Sequence, residues 1–160
     1  MLELVRELGV RRVRYPGGNF VSGFRWEDGV GPRAERPRRR ELAWHSTETN
    51  EIGLHEFHAW TQRAGLELIH ALNLGTRDTP AALDLLDYAN GLAGSALADE
   101  RVRNGAPNPF GITTWYLGNK MDGPWQMGHL TASEYGQRPA RTATAMRQYD
   151  PTLDLVVGGS

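Results

Sequence analysis

Asn19, Asn73 and Asn119 each fall within a few residues of the end of a short, β-favouring run: 11–15 (RRVRY), 66–72 (LELIHAL) and 112–117 (ITTWYL). A carboxamide both donates and accepts hydrogen bonds, so three of them converging on one face suit a ligand made of hydroxyl groups. Trp26, Trp44 and Trp125 lie in or near the same connections, and aromatic rings stack on the apolar faces of sugars. Lys120, beside Asn119, is the single lysine of a chain with seventeen arginines. This combination reads as a carbohydrate site with one unusual cation at its edge.

Plainer readings exist for each residue. An asparagine after a strand commonly serves only its own turn, and an isolated tryptophan is ordinarily core. The arginines of 33–40 (RAERPRRR) read as a solvated, salt-bridged loop rather than a nucleic-acid patch. His55 and His58 sit three apart on an expected helix with no third ligand, which places them at the surface. His70, inside an apolar run, reads as a hydrogen-bonded core histidine. Gly29-Val-Gly31-Pro-Arg-Ala34 imitates a dinucleotide fingerprint but follows no strand, so a nucleotide-binding enzyme is discounted.

The elements that must position these groups alternate along the chain. Residues 2–8 are expected to be helical and 11–15 to form a strand ended by Pro16-Gly17-Gly18. The segment 16–53, polar and aperiodic but holding two tryptophans, reads as a long functional loop. A helix over 54–64 closed by Gly65, with Phe57 and Trp60 inward, precedes the strand 66–72. Thr79-Pro80 opens a helix to 89, and 91–111 is expected to be an irregular connection before the strand 112–117. Thr131 to Glu134 is a capping box for a helix to 149, and 153–157 is the last strand. Such alternation implies an α/β fold with parallel strands. Both a doubly wound sheet and a (β/α)8 barrel obey it, and a barrel of ~250 residues would find only about half of itself here.

Composition bounds the rest. The chain of 160 residues is 39% hydrophobic and 23% charged, with a net charge of −1, as globular domains are. Near-neutrality provides no electrostatic pull toward nucleic acid or an anionic membrane, and no apolar run is long enough to span a bilayer. The absence of cysteine excludes disulfides, thiolate metal sites and cysteine nucleophiles. The first ten residues lack the pattern of a signal peptide, so a cytoplasmic protein is expected.

The stretches 14–40 (RYPGGNFVSGFRWEDGVGPRAERPRRR), 42–53 (LAWHSTETNEIG), 71–77 (ALNLGTR), 83–90 (LDLLDYAN) and 115–129 (WYLGNKMDGPWQMGH) resemble, in order and over nearly the whole chain, the α-L-arabinofuranosidases of glycoside hydrolase family 51. The resemblance implies a single partial TIM-barrel domain over 1–160, comprising about strands 2 to 5 of the (β/α)8 barrel. It also implies retaining hydrolysis, without metal or other cofactor, of terminal α-L-arabinofuranosyl units of arabinan and arabinoxylan oligosaccharides. A homo-oligomeric, hexameric parent is implied as well. Asn19 matches a sugar-hydroxyl ligand, Trp44 an aromatic wall beside the sugar, and Asn119 the asparagine that contacts the sugar 2-hydroxyl.

One departure matters most. Where the family carries the acid/base glutamate, this sequence has Lys120. Retaining hydrolysis needs two carboxyl groups ~5–5.5 Å apart, one of them shuttling a proton. An ammonium holds its proton too tightly near neutrality to do so, and it sets positive charge beside an oxocarbenium-like transition state. Asp122 is two residues on and badly placed to substitute. The resemblance puts the nucleophile after a seventh strand, beyond Ser160, and the first strand before Met1. The expectation is a chain inactive by itself, the alternative being a non-catalytic carbohydrate-binding or degenerate member. Two further expectations follow: Pro139 should cost ~3 kcal/mol unless its helix kinks, and unpaired strand edges should promote association.

Overall fold

The computed structural model describes residues 2–160. Its elements are α1 (Leu2–Glu7), β1 (Arg12–Tyr15), β2 (Arg39–Arg40), β3 (Thr47–Glu48), α2 (Leu54–Ala64), β4 (Glu67–Leu72), α3 (Thr79–Asn90), α4 (Ala96–Arg103), β5 (Thr114–Leu117), α5 (Ala132–Tyr149) and β6 (Asp154–Val156). A four-stranded sheet runs in the order β1-β4-β5-β6, every pairing parallel, and β2 and β3 form a separate antiparallel hairpin. The expected α/β alternation is therefore present, with consecutive long strands as neighbours.

Register explains the core. Tyr15, His70, Trp115 and Leu155 form one row across the sheet. Because side chains alternate along a strand, this row shares its face with Leu68, Leu72 and Leu117. That face packs with Leu85, Leu86 and Tyr88 of α3 and Met146 of α5. On the opposite face Arg14 lies 4.6 Å from the centre of the Tyr116 ring, a cation–π contact.

Helix ends follow the residues that punctuate them. Gly65 adopts φ 71° and its N–H bonds the carbonyls of Gln62 and Thr61, ending α2. Thr131 and Glu134 bond reciprocally at the start of α5. That helix continues through Pro139, whose ring is buried, so packing there offsets the lost bond to the Tyr135 carbonyl.

Two expectations are corrected. The connection 91–111 contains α4, capped by the Ser95 hydroxyl on the Ala98 N–H at 3.1 Å. His55 and His58 are half-buried rather than on the surface, their Nε2 atoms meeting the Tyr88 hydroxyl at 2.7 Å and the Phe110 carbonyl at 3.1 Å. The helix expected over 2–8 ends at Glu7 and buries none of its residues.

His70 is fully buried, and burial pushes its imidazole down to about 4. A histidine lowered in the folded state favours folding most above the unfolded value of ~6.5, and that stability is lost as pH falls toward 4. The loss amounts to roughly 3 kcal/mol. Urea midpoints at pH 7.5 and 4.5 should differ accordingly, and His70→Leu should flatten the difference. A residual slope should persist, because burial also lowers His55 and His58.

Candidate functional site

The loops leaving the C-terminal ends of β1, β4 and β5 pack on one another. After β1, Gly18 takes φ 58°, open to glycine, and a 3-10 turn over Gly18–Gly23 carries Asn19. After β5, Gly118 at φ 79° and Lys120 at φ 49° bend the chain around Asn119. The Asn119 Nδ2 donates to the Asn19 Oδ1 at 3.3 Å, joining residues 100 positions apart over the top of the intervening β4. Asn119 is buried and Asn19 half-buried.

Asn73 does not join them. Its Nδ2 donates to the Phe24 carbonyl and the Thr76 hydroxyl, both at 2.9 Å, while its Oδ1 accepts from Gly75 and Thr76 N–H at 3.0 Å. All of its ordinary hydrogen-bonding capacity is used. Asn73 thus serves its turn and holds the Asn19 loop, together with the Thr76 hydroxyl, which donates to the Ser22 carbonyl at 2.8 Å.

The loop 118–130 is fastened from inside. Lys120 N–H bonds the Gly158 carbonyl at 3.2 Å, and Leu130 N–H returns to the Met121 carbonyl at 2.8 Å. Met121 is fully buried, and the Gln126 Nε2 donates to the Ser22 hydroxyl, linking this loop to that of Asn19. A Cβ on Gly128 would stand 2.2 Å from the Gly75 carbonyl oxygen, so the third loop is pressed against it too. None of Ser22, Met121 or Gln126 carries a sequence signal that would have singled it out.

Asn19, Leu42, Ala43, His45, Trp125, Gln126 and Met127 line a cleft at this mouth. Trp44 stands between two of its lining residues and is 67% exposed, with Trp125 62% exposed. The hairpin tip holding Trp44 is organised by the buried Glu41, whose carboxylate accepts from Ala43 N–H at 2.6 Å and Trp44 N–H at 2.5 Å. Glu41→Ala should release about 2 kcal/mol of local order. Amide exchange at Ala43 and Trp44 should then run roughly 30-fold faster, with the core amides unchanged. Trp26, expected among the stacking tryptophans, is instead buried against Tyr88, ring centres 4.6 Å apart.

Charge completes the picture. The Arg36 guanidinium pairs with Glu56 at 2.8 Å and binds the Gly31 and Asn50 carbonyls, pinning the loop 16–53 to α2. Burial pushes the Glu56 carboxyl up, but bonds from Arg36 and the Gly53 N–H outweigh it and hold it at about 2. Arg39 pairs with Asp28 at 2.8 Å, so the arginine-rich segment is salt-bridged as expected. Asp122 accepts from the Ser160 hydroxyl at 3.0 Å, and bonds from Ser160 outweigh its burial to hold its carboxyl below the ordinary range. An ionised, engaged Asp122 is no source of a proton. Lys120 is exposed and makes no ion pair among the described residues. No cluster of three His, Cys, Asp or Glu suited to a metal occurs among them.

The molecule is thus an α/β protein with a parallel sheet and paired carboxamides, an amine and exposed indoles at the strand C-terminal ends. A family model described as the α-L-arabinofuranosidase 1 domain matches residues 4–160. An exo-α-(1→6)-L-arabinofuranosidase of Bifidobacterium longum is 61% identical over 161 residues, covering 100% of this chain and 31% of that protein. An intracellular exo-α-(1→5)-L-arabinofuranosidase of Streptomyces lividans is 59% identical, covering 100% of this chain and 24% of its own. The solved structure of a family 51 α-L-arabinofuranosidase of Bifidobacterium longum superposes with a TM-score of 0.97 at 55% identity, over 99% of this chain and 31% of that one. An α-L-arabinofuranosidase of Thermotoga maritima, solved as an arabinose complex, gives 0.95 at 40% identity, over 98% and 32%. The chain belongs to the α-L-arabinofuranosidases of glycoside hydrolase family 51. It spans less than a third of the length of these relatives.

Proposed function

We propose that this chain supplies strands 2 to 5 of a (β/α)8 barrel, as one partial domain over 1–160. The intact protein would bind terminal α-L-arabinofuranosyl units of arabinan and arabinoxylan oligosaccharides in the cytoplasm. The observation that carries the reading is the 3.3 Å contact between Asn119 and Asn19, with Lys120 next in sequence. Two carboxamides held together above a sheet keep donors and acceptors for adjacent ring hydroxyls. Trp44 forms the wall of the site, with Trp125 across the cleft.

Lys120 takes the position of the proton shuttle. As the glycosidic C–O bond breaks, the leaving oxygen needs a proton, and water attacking the sugar later must lose one. A lysine ammonium does neither well near neutrality, so the intact protein would grip sugar and turn it over poorly, and the 160-residue chain by itself would be inactive. Assays of the full-length protein beside its Lys120→Glu variant on an arabino-oligosaccharide test this. Faster arabinose release by the variant supports the assignment, and equal rates remove position 120 from the chemistry. A purely sugar-binding role is the second reading, favoured by the same lysine.

The barrel reading also bears on the 160-residue polypeptide by itself. Among the described residues β1 pairs only with β4 and β6 only with β5, and open edges invite pairing. Light scattering should show associated species, and a stable monomer would count against the half-barrel.

A further inference from the structure

We infer that a single water molecule is built into this fold between the indole of Trp26 and the imidazole of His70. Both residues are buried, at 5% and 0% exposure, and neither the Trp26 Nε1 nor the His70 Nε2 has a hydrogen-bonding partner among the described residues. The two residues line the same small cavity, walled on its apolar side by Phe24, Ala82 and Leu85. Within it the centre of a water molecule has about 20 Å³ to occupy, room for one water.

The donor and acceptor roles are complementary. Trp26 Nε1–H only donates. His70 Nδ1 lies 3.1 Å from the Ala71 carbonyl, which only accepts, so the proton of the neutral ring sits on Nδ1. Burial keeps the ring neutral. Nε2 is therefore a lone pair facing away from that bond. A water oxygen accepts from the indole and one of its hydrogens goes to the imidazole, satisfying two groups that are costly to leave unpaired in a protein interior. Arg77 lines the same cavity and commits its Nη1 to Glu27 at 2.6 Å, leaving further N–H groups from which the water can accept a second bond.

The location gives the water a structural purpose. Trp26 begins the 3-10 turn Trp26–Gly29, within the connection that also carries Asn19, while His70 sits in β4. The bridge ties that connection to the sheet beneath the paired asparagines.

A crystal structure of the full-length protein at a resolution that shows ordered solvent tests the inference. One isolated density peak ~2.7–3.2 Å from both nitrogens is expected. A dry cavity, or either nitrogen bonded directly to a protein group, would overturn it. Nitrogen NMR of labelled histidine provides an independent check that needs no variant. His70 should appear as the Nδ1–H tautomer with a hydrogen-bonded Nε2, and the opposite tautomer would overturn the assignment. In Trp26→Phe, which keeps an aromatic ring but removes the donor, the Nε2 resonance should shift, and an unchanged resonance would also contradict the bridge.

Discussion

With methyl α-L-arabinofuranoside, the full-length protein carrying this chain should turn over about 10²–10⁴-fold more slowly than its Lys120→Glu variant. Methoxide is a poor leaving group and needs a proton as the bond breaks. Dinitrophenolate does not, so with a dinitrophenyl arabinofuranoside the lysine form should release its first equivalent rapidly and then slow. The slow phase reflects the second step, in which water must give up a proton to a base that position 120 no longer provides. The substitution is well suited to comparison. Position 120 is exposed and holds φ 49°, and lysine and glutamate are both L residues with a Cβ, so the backbone demand is the same in each. A first equivalent released from the dinitrophenyl substrate as slowly as from the methyl glycoside would mean that proton transfer at this position is not what limits the first step.

Arg101→Met should destabilise the fold by about 3 kcal/mol or more, the largest effect expected from any single change outside the aromatic core. Arg101 is fully buried and makes no ion pair among the described residues. Its guanidinium instead reaches the carbonyls of Tyr88 at 3.0 Å, Gly91 at 2.8 Å and Ala106 at 3.1 Å. Those of Tyr88 and Gly91 sit at the C-terminal end of α3, where the helix dipole is negative and last-turn carbonyls lack partners. Methionine fills much of the volume and leaves all three without their donor. Arg101→Lys retains the charge but not the planar fork that spans three acceptors, so it should recover only part of the loss. Urea unfolding of the three forms measures this, and a midpoint unchanged in Arg101→Met would refute the capping role.

How far the fold was legible depended on where hydrophobic periodicity and punctuation agreed. The strands at β1, β4 and β5 and the helices α2, α3 and α5 were visible because apolar spacing, Gly65, Pro80 and the Thr131–Glu134 box all point the same way. Helix α4 was hidden because its eight residues make barely two turns, flanked by glycine- and proline-rich chain. Only its Ser95 cap announced it, and it buries just Ala98 and Arg101, a pair that no hydrophobic pattern marks.

The candidate site was legible to a different degree. Asn19, Asn73 and Asn119 look alike as sequence, and the difference between a ligand group and a turn residue lies in whether the side chain is already satisfied. Asn73 is saturated by its own turn and by the Phe24 carbonyl, whereas Asn19 and Asn119 meet each other. Trp26 and Trp44 are likewise indistinguishable in composition. One is buried on Tyr88 and the other stands on a hairpin held by Glu41. Loop anchors such as Gln126 and Ser22 depend on contacts 104 residues apart and leave no local trace.

Calorimetric titration of the full-length protein with an arabino-oligosaccharide is the most direct test of a sugar site at Asn19 and Asn119. Saturable binding is expected, with turnover too slow to deplete the ligand during the titration, and weakened at least 10-fold in Asn119→Ala, a loss of about 1.4 kcal/mol or more. The same affinity in the native protein and in Asn119→Ala would contradict the account.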